Sequence, residues 1–224
     1  MHTDTLQNLL HRFDRPAGSD RQMDLLRSYG AKDVFVHYSG EIRYLASKVV
    51  SIVGTRDISK EGILRANRLS RELSEHNVVV MSGLAKGVDA TAHSAAIQSG
   101  GKTAAVIGTP LDRAYPAENA TLQMEIYRHH LLLSPFAVGE QVYRSNFPAR
   151  NRVMALLSDA TVIVEASDTS GTLHQAAECQ RSGRWLFIMK SVADDPKLTW
   201  PKKFLNHPKT LVLESTKDIL EALA

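Results

Sequence analysis

Short apolar runs rich in β-branched residues alternate with longer amphipathic segments through most of this chain, and that alternation limits the folds open to it. The runs are Val34–His37, Val49–Val53, Val78–Met81, Ala104–Ile107, Thr161–Val164, Trp185–Met189 and Leu211–Leu213. They lack the polar alternation of a half-exposed sheet, so each reads as a strand buried on both faces. Between them lie helical patterns at Lys60–His76, Val88–Gln98, Ala117–Arg128, Pro148–Leu157 and Thr172–Arg181. Such a βαβα order predicts a mostly parallel central sheet covered by helices, a three-layer α/β/α Rossmann-like architecture. A closed eight-fold barrel would need more residues and another strand.

Residues 1–32 read as a helical preface, and 33–224 as one domain. The Pro-punctuated stretch Ser191–Lys209 reads as a surface loop. Ser215–Ala224 reads as a closing helix capped by Ser215 or Thr216. The chain has 224 residues, 43% of them apolar before its 13 glycines are counted. That composition excludes a disordered chain and a disulfide-stapled miniature. With 27 basic and 24 acidic side chains the net charge is only +3, so any polyanion site must come from local clustering. The one cysteine, Cys179, suits a reducing cytoplasm and reads as core. No secretory signal or membrane-spanning stretch is expected.

The residues just after the strands carry the chemistry, because ligands of open parallel sheets bind beyond the carboxyl ends of the strands. Gly54-Thr55-Arg56 follows one strand, and the run Ser82, Gly83, Lys86, Gly87 the next. Gly108-Thr109 follows a third, and Ser170-Gly171-Thr172 opens a helix after a fourth. Glycines, hydroxyls and helix starts all suit phosphate, which backbone N–H groups and the positive helix end attract. Each taken alone is also what a plain βα turn or a helix cap looks like. Recurrence at four neighbouring strand ends favours phosphate.

A second cluster is Phe147-Pro148-Ala149-Arg150-Asn151-Arg152. Its arginines, with Arg144, are interleaved with Phe136, Tyr143 and Phe147, as a single-stranded nucleic-acid groove requires: cations for the backbone, rings for stacked bases. The same letters also fit a core phenylalanine and a solvated helix face. Other matches fail. Gly100-Gly101-Lys102-Thr103 precedes a strand instead of opening a helix, so it reads as a helix end and not a P-loop. No GxGxxG follows the first strand, and His129-His130 lacks metal-site spacing and reads as surface. Asp89 and His93, one helical turn apart, read as a local structural pair. Neither a cofactor, nor a metal, nor a catalytic constellation is expected.

Five blocks together resemble the DNA-processing protein A family (DprA, also called Smf). They are Ser51–Arg56, Ser82–His93, Tyr115–Asn119, Phe147–Arg152 and Val164–Ala166 with Ser170–Thr172, in the family's order. The resemblance implies an extended Rossmann-like fold, single-stranded DNA binding without sequence preference, loading of a RecA-type recombinase, and a homodimer. It also implies that DNA is held by Arg56, Lys86-Gly87, Arg150, Arg152 and Ser170-Gly171-Thr172. No separate winged-helix domain is expected within this chain. Nucleotide-hydrolysing relatives of the same superfamily carry a catalytic acid where Gln175 stands, and an amide is no general base. The alternatives are therefore a nucleotide-binding sensor or, less consistent with Gln175, a nucleoside-monophosphate phosphoribohydrolase.

Overall fold

Val49–Gly54 (β3) sits at the middle of the sheet, and the chain winds outward from it in both directions. The computed structural model describes residues 1–15 and 34–224. Beside β3 on one side lie Val79–Ser82 (β4), Thr103–Val106 (β5) and Leu131–Ser134 (β6); on the other lie Ala160–Glu165 (β7), Trp185–Met189 (β8) and Thr210–Leu213 (β9). These pairings are all parallel. Phe35–Gly40 (β2) and His2–Thr5 (β1) add antiparallel strands beyond β6. Among the described residues the order is β1-β2-β6-β5-β4-β3-β7-β8-β9. The winding reverses between β3 and β7, and a crevice opens beyond the strand ends at such a point.

Side-chain alternation along each strand builds the two outer layers. Val49 and Val53 face the helices Asn146–Leu157 and Thr172–Arg181, with Met154, Leu157, Ala176 and Cys179. Val50 and Ile52 face the helices Lys60–Glu75 and Val88–Gln98, with Leu69, Leu73, Val88 and Ala92. All of these side chains are essentially dry, each worth about 1.5–3 kcal/mol if aliphatic and large. The expected three-layer α/β/α architecture is therefore present.

Four expectations need correction. His2–Thr5 is a strand and not part of a helical preface; the helix begins at Leu6 and runs to Arg12. Its Leu6, Leu9 and Leu10 join the main core, and Arg15 pairs with Asp159 at 2.8 Å, so this segment packs onto the sheet. The rest of the expected preface, 16–32, lies outside the described residues, as does residue 33. Leu131–Ser134 is a strand that the apolar-run reading passed over. The strand expected at Val34–His37 alternates buried and exposed residues, because β2 pairs antiparallel near an edge. Finally, the stretch read as a loop contains two short helices, Lys190–Ala193 and Trp200–Leu205. Asp168 organises the second by accepting hydrogen bonds from the backbone of Thr199 and Trp200.

Candidate functional site

A crevice of about 400 Å³ opens where the winding reverses, lined by Gly54, Thr55, Arg56, Phe147, Arg150 and the Ser170–Thr172 helix start. Its walls are fastened to one another. Thr172 Oγ1 donates to the Gly54 carbonyl at 3.0 Å, and Thr55 N–H donates to the Glu165 carbonyl at 2.7 Å. Gly87 has φ +74°, and a Cβ there would lie 2.3 Å from the Thr55 carbonyl oxygen. Only glycine lets the Val88–Gln98 helix start so close to the Thr55–Arg56 turn. The crevice thus collects the positive ends of two helices and an exposed guanidinium.

Arg150 forms the floor. It is only 6% exposed, and Nη1 donates to the Val106 carbonyl at 2.7 Å. A Cβ on Gly83 would fall 1.5 Å from that same nitrogen, so glycine at 83 is what admits the guanidinium. Arg150 Nε has no hydrogen-bond partner among the described residues. Asp89 lies buried beside it and accepts from Gly83 N–H at 3.1 Å and Ala85 N–H at 3.4 Å. Burial pushes the Asp89 carboxyl up, against the pull of the Arg150 charge and the two N–H groups. Burial likewise pushes Arg150 down; Asp89 opposes this and Arg56 adds to it. Arg150 stays a cation all the same, since arginine does not deprotonate in proteins. Two cations, one of them neutralised by a carboxylate, leave the crevice positive.

The predicted Asp89–His93 pair is not formed. At the first turn of its helix Asp89 meets the backbone donors of 83–85, whereas His93 faces β5 and its Nδ1 shares a 2.7 Å hydrogen bond with Thr103 Oγ1. Full burial pushes the His93 imidazole down to about 3, so it is neutral. His130, expected on the surface, is half-buried with its ring 6.5 Å from that of Tyr44.

A smaller notch of about 70 Å³ adjoins the crevice and shares Arg56, Ala85, Phe147 and Arg150 with it. Gly83, Lys86, Gly108, Tyr115 and Pro116 complete it. A Cβ on Gly108 would lie 2.7 Å from Phe147 Cδ1, so that glycine makes room for the ring. Phe147 in turn packs on Tyr115 at 5.4 Å between centroids. Lys86 Nζ pairs with Glu118 at 2.7 Å, both side chains about half exposed. On the other flank a hollow of about 390 Å³ is lined by Asp57, Arg65, Glu165, Ser167 and Asp195.

Most sequence-predicted site residues therefore converge, but four do not. Arg152 points toward the neighbouring helix, with Nε 3.4 Å from Glu178 Oε2. Ser82 is buried and its hydroxyl donates to the Ile52 carbonyl at 2.6 Å. Tyr143 is 57% exposed and bonds Gln141, and neither it nor Phe136 lines the crevice or the notch. Helix periodicity explains Arg152: two residues beyond Arg150 is 200° around the helix, the opposite face. Sequence reasoning missed Tyr115 and Glu118 as site residues, although both stand in the Tyr115–Asn119 block. That block follows no strand directly; it reaches the site through Asn119, whose Nδ2 donates to the Leu84 carbonyl at 2.9 Å.

A family model for "DNA recombination-mediator protein A" matches residues 19–224. The DNA processing protein DprA of Streptococcus pneumoniae is 43% identical over 166 residues, 74% of this chain and 58% of that protein. That of Bacillus subtilis is 30% identical over 209 residues, 93% of this chain and 70% of that protein. The chain thus spans little more than half the length of the pneumococcal relative. Among solved structures, pneumococcal DprA superposes with a TM-score of 0.75 and 38% identity, covering 84% of this chain and 65% of the other. DNA processing protein A from Helicobacter pylori, a structure describing its unique single-stranded DNA binding mode, gives 0.78 at 24% identity and covers 100% and 96%. The second likeness speaks for the fold alone. The chain belongs to the DNA recombination-mediator protein A family, DprA/Smf.

Proposed function

We propose that this protein binds single-stranded DNA through its backbone, without sequence preference and without catalysis, and delivers the strand to a RecA-type recombinase in the cytoplasm. The observation that carries this reading is the convergence of Arg56, Arg150 and the Ser170–Thr172 helix start on one crevice. A buried cation, an exposed cation and the positive end of a helix within one cleft can grip consecutive phosphates. Membership in the recombination-mediator family supports the same reading. The family resemblance also supports a homodimer.

Hydrolysis of a nucleotide is disfavoured by Gln175. It lines the crevice, its Nε2 donates to Thr161 Oγ1 at 3.3 Å, and an amide cannot take a proton from water. A mononucleotide sensor remains the competing use of a cleft this size. Titrating a fluorescent single-stranded oligonucleotide at several salt concentrations, with mononucleotide competitors, separates the two. Strand binding gives log affinity falling with log salt by about 0.7 per phosphate neutralised. Tight mononucleotide binding without strand affinity overturns the proposal, and release of free base would identify a hydrolase.

A further inference from the structure

Resting on that reading of the crevice, we infer that the bound strand leaves it over Tyr115 and that the Tyr115 ring stacks against a base. Three observations meet here. First, the notch beside Tyr115 is continuous with the crevice, because Arg56, Phe147 and Arg150 belong to both. At about 70 Å³ it is far below the roughly 300 Å³ of a small-molecule pocket, so it suits one flat ring and not a whole ligand.

Second, the Tyr115 ring is 48% exposed yet fixed from behind by Phe147, 5.4 Å away between centroids. A half-exposed ring already in tilted contact with a second ring is a stacking platform that needs little further ordering. Phe147 itself serves as its backing, with its other edge filling the space that Gly108 leaves.

Third, the opposite exit repels phosphate. The hollow on that side sets Asp57, Glu165 and Asp195 against Arg65 alone, and it is joined to the crevice through Thr55 and Ser167. Glu165 is held there by Ser59, whose backbone N–H and hydroxyl both donate to its carboxylate. A polyanion gripped at Arg56 and Arg150 therefore continues toward Tyr115, past Lys86 with its partner Glu118, where one acid stands against three cations. Phe136 and Tyr143, the other aromatic candidates, line neither compartment.

The test uses two fluorescent oligomers of equal length, one ordinary single-stranded DNA and one of abasic sugar-phosphate, titrated against wild type, Tyr115→Leu, Tyr115→Phe and Arg56→Ala. Base stacking is worth a factor of about 5 to 100 in affinity. Tyr115→Leu is expected to lose that factor on ordinary DNA, to lose nothing on the abasic strand, and to be rescued by Tyr115→Phe. Arg56→Ala is expected to weaken both strands. Leucine keeps an apolar contact on Phe147, and matching thermal midpoints exclude a folding defect; should it misfold, Tyr115→Ser against Tyr115→Phe gives the same comparison. If Tyr115→Leu binds ordinary DNA like wild type while Arg56→Ala does not, the Tyr115 inference fails and the crevice reading stands. If wild type binds neither strand, both fall.

Discussion

The floor and the rim of the crevice hold the same kind of charge by different means. At the floor, Arg150 is buried, anchored to the Val106 carbonyl and balanced by Asp89. At the rim, Arg56 is exposed and Lys86 is paired with Glu118 in water. Burying a cation and a carboxylate near each other costs desolvation that their attraction and their hydrogen bonds must offset, whereas an exposed pair contributes about 0–1 kcal/mol. The floor is therefore part of the fold, and the rim can be altered without disturbing it.

The sharpest way to break this contrast is Arg150→Met. It leaves the Val106 carbonyl without its donor and Asp89 buried without a nearby cation, and should cost about 1–3 kcal/mol of stability, read by urea unfolding, along with strand affinity. Arg150→Met with Asp89→Asn should recover much of the stability but not the affinity. A floor that merely decorated the fold would show no stability loss in the single variant.

Next in size is the pH response of the buried side. His93 is neutral in the fold, at about 3, against an unfolded value near 6.5. Below the unfolded value the unfolded chain binds a proton that the folded chain refuses, so stability falls as pH drops from about 6.5 toward 3. Wild type should lose more melting temperature between pH 7 and 5 than His93→Asn does. Equal losses would show that the imidazole is not the group responsible.

Arg56→Ala should leave unfolding within about 0.5 kcal/mol of wild type while reducing strand affinity about tenfold and the salt slope by about 0.7. The smallest effect belongs to Glu118→Gln. Freeing Lys86 should raise affinity by no more than about threefold at low salt, and the gain should vanish at high salt. A gain that survives high salt would mean that Glu118 shapes the notch and does not merely screen Lys86.

How much of this was readable beforehand differs by element. The strands around β3 were legible because β-branched runs buried on both faces admit few other structures. β1 was not: His2–Thr5 is polar and becomes a strand only by pairing with Phe35–Gly40, a case of tertiary context overriding propensity. β6 was passed over because its run is only four residues long and is made of leucines and not of β-branched residues; the hydroxyl of Ser134 donates to the Thr109 carbonyl as the strand ends. In the site, the glycines and helix starts were legible, since their positions after strands fix which edge they share.

Residue types and their spacing alone set the layered architecture, the edge of the sheet on which anions can bind, and the arginines worth suspecting. Spacing cannot say which of two nearby arginines turns inward, because that depends on what packs against the helix: Gly83 makes a hole for Arg150, and Glu178 draws Arg152 to the other face. Nor can it bring Tyr115 to Phe147 across more than thirty residues. Those choices are made by packing, in which volume and charge must be satisfied between segments remote along the chain.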